Sequence, residues 1–376
     1  MKRFLVLFVF AAVVIVGAGL GLVWQQFASN PASSDTTEQL FEVDHGKTFR
    51  SIAHELAEKK LIRNEKLFVW YAKISGKAGK MKVGEYSLSP NMKPSDILTT
   101  INSGISVGRQ FTVAEGLNIY EIADLYQQEG FGTKDDFLKA CHDKVFIKQM
   151  LGEDLDSLEG YLFPESYSLT KFTTTKELLT QMVRKFLEVY TQLQLQNHLT
   201  GWTRNQVITL ASIVEKETGA PEERPQISAV FHNRLKKGML LQTDPTILYG
   251  MTDLAGHTVM SITHDDIHRP TKYNTYVIKG LPPGPIANPG REAILAAMNP
   301  AQVDYLYFVS KNDGTHIFSV KYEDHAKAVH LYQQNPAARE NHSWRELQKN
   351  RKGQNLQQFN GSAPSSPTTA PSEAAH

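Results

Sequence analysis

The chain has 376 residues, enough for about two domains of ordinary size, and 41% of them are hydrophobic, so it can bury a globular core. Forty basic residues against 39 acidic ones leave a formal net charge of +1, which excludes the basic excess expected of a nucleic-acid binder. The single cysteine, Cys141, excludes an internal disulfide and the paired spacings of zinc or redox sites, and it reads as a small buried apolar side chain.

Lys2 and Arg3 precede an uncharged run from Phe4 to Trp24, about 21 residues and long enough to cross the hydrocarbon core of a bilayer. A cleavable signal peptide has a shorter apolar centre and a clearer small-residue cleavage site than QQFASNPASS offers. Residues 1–27 are therefore expected to be a retained transmembrane anchor. Positive charge before the span places everything after it outside the cytoplasm, on the cytoplasmic (inner) membrane. Residues 28–38 are small and polar and read as a linker. At the other end, residues 336–376 lose hydrophobic periodicity and finish in GSAPSSPTTAPSEAAH, the composition of a disordered polar tail.

Between these ends runs a weak internal repeat with an offset of 70 residues. VDHGKTFRSIAHELAEKKLI begins at Val43 and VAEGLNIYEIADLYQQEGF at Val113, aligning Gly46 with Gly116 and Ile52-Ala53 with Ile122-Ala123. Each copy reads as a strand end, a turn with Gly, then an amphipathic helix, whose apolar face in the first copy is Phe49, Ile52, Ala53, Leu56 and Leu61. A strand over KVGEYSLSP follows, then a helix over PSDILTTINSG with Ser95 as N-cap and Gly104 past its end. This strand–helix–helix–strand unit, residues 39–108, resembles the LysM module, a binder of N-acetylglucosamine polymers, with residues 109–158 a candidate second copy. Trp70 and Tyr71 are its candidate sugar contacts. A small spacer that binds nothing is the competing reading.

TRNQVITLASIVEKETG is a well-punctuated helix, with Thr203 as N-cap and Gly219 at the far end. Its apolar stripe comprises Val207, Leu210, Ala211, Ile213 and Val214, leaving Asn205, Thr209 and Lys216 on the opposite face. Glu215 and Glu217 project at the two edges of the stripe. Partial desolvation and the negative end of the helix dipole raise the pKa of either one. A carboxyl kept protonated near neutral pH is what a general acid at a glycosidic bond requires. Helix geometry prefers Glu217 only slightly.

After this helix come FHNRL, LQTDPT, YNTY and GLPPGPIANPG, then a hairpin, YLYFVSKNDGTHIFS, with an Asn-Asp-Gly turn. With VEKETG, these strings occur in the order of the endolytic murein transglycosylase family, also called MltG or YceG-like, which the chain resembles from the linker onward. The resemblance implies an α+β fold, with the N-terminal transmembrane helix and the LysM-like module followed by a larger mixed α/β catalytic domain at residues 109–335. It implies that Glu217, the second glutamate of the E-K-E-T motif, is the catalytic residue. It also implies endolytic cleavage of the MurNAc–GlcNAc β-1,4 bond in peptidoglycan glycan strands, leaving 1,6-anhydro-MurNAc ends, a carbon–oxygen lyase reaction that needs no cofactor. EGYLFPESY, Glu159 to Tyr167, matches a family segment and is a candidate lining of the cleft.

Gln242, Thr243 and Asp244 are candidates to orient sugar hydroxyls, and Tyr273, Asn274 and Tyr276 to stack on rings and bind N-acetyl groups. Each has a local alternative, since Asp244 before Pro245 is a common turn signal. The expected partners are glycan strands and, through the anchor, the membrane. Peptidoglycan synthases are a further candidate if the enzyme limits nascent strand length. Two rival readings stand beside this one. His264 and His268 have the i, i+4 spacing of a zinc metallopeptidase helix, but Asp265 stands where that motif has Glu, and Arg269-Pro270 ends any helix. A non-catalytic peptidoglycan-binding scaffold would use the LysM-like part alone.

Overall fold

The computed structural model describes residues 26–197 and 201–334. The anchor expected at residues 1–27 and the tail expected at 336–376 therefore fall almost wholly outside the described residues. Among the described residues, no helix is long and apolar enough to cross a membrane.

In chain order the elements are β1 (Gln39–Val43), α1 (Phe49–Glu58), α2 (Glu65–Ile74), β2 (Gly84–Leu88), α3 (Pro94–Ser103), β3 (Arg109–Thr112), α4 (Ile119–Gln128), α5 (Lys134–Cys141), α6 (Lys144–Leu151), β4 (Ser166–Leu169) and α7 (Thr175–Gln196). There follow α8 (Arg204–Glu217), α9 (Arg224–Lys236), α10 (Asp244–Ala255), α11 (Arg291–Met298), β5 (Tyr307–Ser310), β6 (His316–Ser319) and α12 (Tyr322–Val329). The strands make three antiparallel pairs, β1–β2, β3–β4 and β5–β6. This is a mixed α/β architecture.

The chain divides into two compact units. The first takes the residues up to Thr112 together with Tyr126–Phe137 and Glu165–Thr180. Its register sets Phe41 opposite Tyr86, both fully buried, over a core that includes Ile52, Leu56, Phe68 and Ile97. Local chemistry fixes the helix starts: Thr48 Oγ1 accepts from Ser51 N at 3.2 Å, and Asn64 Oδ1 from Leu67 N at 3.0 Å. At α3 the expectation fails by two residues. Pro94 occupies the first helical position, where its fixed φ is preorganised and its missing N–H costs nothing, so the cap falls at Lys93 and Ser95 lies inside the helix. Gly104 ends α3 in the left-handed conformation, as read from the sequence. Of the two aromatic candidates, Tyr71 is buried and Trp70 is 37% exposed.

The 70-residue offset recurs in the elements. Residues 49–58 of α1 map onto 119–128, the span of α4, while Gly46 and Gly116 share φ values of +80° and +78°. At the cap, Asn118 replaces Thr48 and accepts from Tyr120 N and Glu121 N at 3.0 and 2.9 Å. The second copy is interrupted, however. The chain between β3 and its partner β4 is shared between the two units, so no clean boundary falls at residue 108.

The second unit takes Val113–Leu125, Leu138–Pro164 and the chain from Gln181 onward. Its centre is α8, packed against α9, α10 and α11. Every residue from Val207 to Val214 is buried. Thr209, expected on an outer face, is 1% exposed, because α8 is covered on all sides rather than along one stripe. Its hydroxyl is satisfied by Asn205 O at 2.7 Å, and that of Ser212 donates to Thr209 O and accepts from Ile286 N at 3.0 Å. The proline-rich loop is thereby laced to the helix. Buried Asn288 extends the lacing, its side chain reaching Leu117 O, Glu159 Oε1 and Leu162 N within 2.9–3.1 Å.

Candidate functional site

The start of α8 is set by a capping box, Thr203 with Gln206, and its end by Thr218, one residue before the expected Gly219. This rigid element carries the two glutamates to different fates. Glu215 is spent on structure: one oxygen lies 3.4 Å from Arg224 Nη2 on α9, and the other accepts at 3.2 Å from Gly290 N, the N-cap of α11. Glu217, two residues nearer the end, faces an open cleft of about 350 Å³. It is half-buried.

Four environments act on that carboxyl. Burial raises its pKa from 4.5 to about 7, with the Asp244 charge pushing the same way, while the hydroxyl of Thr243, which donates to Oε1, and the Arg234 guanidinium pull it down less strongly. Oε2 has no hydrogen-bond partner among the described residues, so one oxygen is held and the other is open to the cleft. The group spends a large fraction of its time protonated near neutral pH.

Opposite stands a wall built from two motifs. The main chain of Gln242 and Thr243 bonds to Thr275, through N···O at 3.2 Å and N···Oγ1 at 3.1 Å, and Thr246 Oγ1 meets Thr275 Oγ1 at 2.9 Å. QTDPT and YNTY are thus one hydrogen-bonded unit. It presents Gln242, Asp244 and Tyr276 to the cleft, with Tyr276 Oη donating to Asp244 Oδ1 at 2.7 Å. Gln242 sits at φ +49°, a left-handed conformation that the tight turn ahead of α10 imposes. Arg234 closes the cleft from α9, anchored by Nε to Leu306 O at 2.7 Å and by Nη1 to Leu241 O at 2.9 Å. His325 also lines it, its buried Nδ1 without a partner among the described residues. Burial and the Arg234 charge hold that imidazole's pKa down.

A model of the YceG-like family matches residues 41–331. The chain belongs to that family. A Bacillus subtilis protein named endolytic murein transglycosylase is 33% identical over 317 residues, covering 80% of this chain and 86% of that protein. A Streptococcus pneumoniae protein of the same name is 30% identical over 362 residues, covering 87% of this chain and 65% of the longer relative. The crystal structure of a YceG-like protein from Listeria monocytogenes superposes with a TM-score of 0.51 at 32% identity, over 78% of this chain and 99% of that one. The mixed α/β fold is thus the YceG-like fold.

Of the site residues expected from the YceG-like motifs, Glu217, Gln242, Thr243, Asp244 and Tyr276 come together. Two do not. Asn274 is fully buried; its Nδ2 donates to Ile267 O and Arg269 O at 2.9 and 2.8 Å, and its Oδ1 accepts from Tyr276 N at 2.9 Å. Asn274 shapes the turn that aims Tyr276, and has nothing left for an N-acetyl group. Tyr273 is 8% exposed, packs edge-on to Tyr249, and lines a separate cavity with Glu159 and Tyr161. Those two residues place the start of EGYLFPESY at that cavity, while its end, Ser166 and Tyr167, belongs to β4. Glu159 is a buried crosslink, accepting from Ile119 N at 3.0 Å and Asn288 Nδ2 at 3.1 Å, and burial raises its pKa to about 8.

Sequence reading missed Arg234, although FHNRL was in view. The signal lay in a charged residue among the apolar positions of α9, where a guanidinium must find carbonyl partners. At the rival site, His264 and His268 stand on a 3-10 turn with ring centroids 6.1 Å apart. No group of three potential ligands for a metal gathers among the described residues.

Proposed function

We propose that this protein is an endolytic murein transglycosylase, cutting the MurNAc–GlcNAc β-1,4 bond within glycan strands and leaving 1,6-anhydro-MurNAc ends. The observation that carries the reading is a single carboxyl, Glu217, that holds its proton near neutrality with one oxygen open to a cleft. Glu217 Oε2 delivers that proton to the leaving glycosidic oxygen as the C1–O bond breaks. The carboxylate left behind, favoured by Thr243 and Arg234, takes the proton of the muramyl C6 hydroxyl as O6 bonds to C1. The proton account closes on one residue and no water is consumed.

A hydrolase of the same bond is the second reading, because the cleft holds a second carboxyl, Asp244. Glycosidases that use water place two carboxyls about 5 to 9.5 Å apart. Asp244, at the first position of α10, accepts from Tyr276 Oη and lines the same cleft as Glu217. Mass spectrometry of products from purified glycan strands separates the two. Anhydro ends from wild type and from Asp244→Asn, absent with Glu217→Gln, support the lyase; reducing ends lost in Asp244→Asn establish the hydrolase.

The apolar run from Phe4 to Trp24, with Lys2 and Arg3 before it, supports a single span of the cytoplasmic membrane with the bulk of the chain outside. Recovery of the full chain in the soluble fraction would remove the anchor. The strand–helix–helix–strand order of residues 39–88, with Trp70 exposed, supports a LysM-like module that holds glycan. A tether beside nascent strands fits a role in limiting their length alongside peptidoglycan synthases. Loss of that role would show as longer strands in cells carrying only Glu217→Gln.

A further inference from the structure

Glu217 also lines another cavity, of about 270 Å³, whose lining includes neither Asp244 nor Tyr276. The β5–β6 hairpin forms much of it, through Ser310, Asn312 and His316, with Gln333 and Lys216 beside them. Most polar groups there are committed. Asn312 Nδ2 donates to Tyr332 O and Gln333 Nε2 to Ser310 O, both at 2.8 Å, and Lys216 Nζ donates to Gly116 O at 3.0 Å.

His316 differs. Its backbone N donates to Glu223 Oε1 at 3.0 Å, its ring Nδ1 lies 2.7 Å from Glu223 Oε2, and the two side chains are only 10% and 13% exposed. A carboxylate can only accept, so Nδ1 carries the ring proton toward Glu223 and Nε2 is left free to bond elsewhere. Nε2 has no hydrogen-bond partner among the described residues, while the ring is fixed edge-on against Phe308 at 5.4 Å. The imidazole is held by Glu223 and Phe308 and lines, with one ring nitrogen unused, a cavity that Glu217 also lines.

We propose that His316 is a substrate-binding residue whose Nε2 hydrogen-bonds the saccharide in the hairpin cavity, so that the glycan crosses Glu217 with one ring on either side. Glu223 is its positioning residue. An N-acetylhexosamine fits this nitrogen, since its hydroxyls and acetamido group offer both donors and acceptors. The inference rests on reading Glu217 as the acid at a glycosidic bond.

The test uses the full-length protein carrying Glu217→Gln, which binds strands without turning them over, and uncrosslinked glycan strands as probe. Adding His316→Asn keeps a donor for Glu223 at the Nδ1 position and removes Nε2, whereas His316→Gln restores a polar atom at the Nε2 position. The Asn variant should bind about 5- to 10-fold more weakly, the weight of one neutral hydrogen bond, and the Gln variant should recover most of that loss. In the otherwise wild-type enzyme, His316→Asn should raise KM by the same factor with kcat nearly constant. Unchanged affinity overturns the proposal, as does a loss of kcat at constant KM, which would mark His316 as a proton carrier. If the Asn variant folds poorly, the 15N resonance of His316 Nε2 decides without altering the histidine. It should move on saturation with glycan, and a resonance that stays fixed overturns the proposal. Wild-type protein that releases no anhydro ends would sink the functional reading, while the affinity and resonance measurements would still report on His316.

Discussion

Replacing Glu217 by Gln should remove activity and, above neutral pH, make the protein harder to melt. Burial carries this carboxyl from 4.5 to about 7 in the folded chain. Between those values the folded protein keeps a proton that the unfolded chain has released, so stability falls as pH rises through the window and remains lowered above it. The full interval corresponds to about 3 kcal/mol. Water in the cleft reaches the side chain and reduces that, leaving roughly 1.5 to 3 kcal/mol. Gln is neutral throughout and keeps the oxygen that accepts from Thr243. At about 1–2 °C per kcal/mol for a chain of this size, the variant should melt roughly 2 to 6 °C higher than wild type at pH 8. At pH 4.5 the two should nearly coincide. Glu159, raised to about 8, titrates in both proteins and cancels in the difference. Scanning calorimetry at the two pH values is sufficient. A gap of equal size at both, or a larger one in acid, would refute a proton-holding Glu217.

The alkaline limb of kcat/KM on glycan strands should fall with an apparent pKa near 7, read from initial rates across pH 5 to 9. Asp244→Asn removes a charge that raises that pKa and should move the limb toward acid; Thr243→Val removes a donor that lowers it and should move the limb toward alkali. Asn274→Ala should cost about 2–4 kcal/mol in chemical denaturation, because carbonyls of Ile267 and Arg269 lose their donor. Gly160→Ala should destabilise by about 2–4 kcal/mol, seen as a lower denaturation midpoint. Gly160 has φ +85°, and a Cβ there would stand 2.5 Å from Pro285 and 2.9 Å from Ile208.

What could be read from the sequence was local. The first repeat's strand and helix, the cap at Thr203 and the Asn-Asp-Gly hairpin each depend on residues a few positions apart, and each stands where the pattern put it. Thr209 was misread because periodicity assumes one buried face, whereas α8 runs through the middle of its unit. Glu215 and Glu217 were nearly equivalent on a helical projection. Arg224 and Gly290, from other elements, separate them by claiming Glu215. The same limit applies to YNTY, where composition favoured a sugar contact at Asn274 and nothing local showed three backbone groups converging on its amide. Arg234 was overlooked for the matching reason, since its carbonyl partners lie on segments that only tertiary structure brings to it.

That the acid lines two cavities also bears on the statistics of cutting. An active site that grips the polymer on both sides of the scissile bond reads local sugars and does not measure distance from a chain end. Every internal bond of a uniform strand then has the same chance of being cut, and fragment lengths follow a geometric distribution set by contact time. An enzyme of this kind times the polymer. Altering how long it stays beside a growing strand would shift the mean length and leave the form of the distribution unchanged.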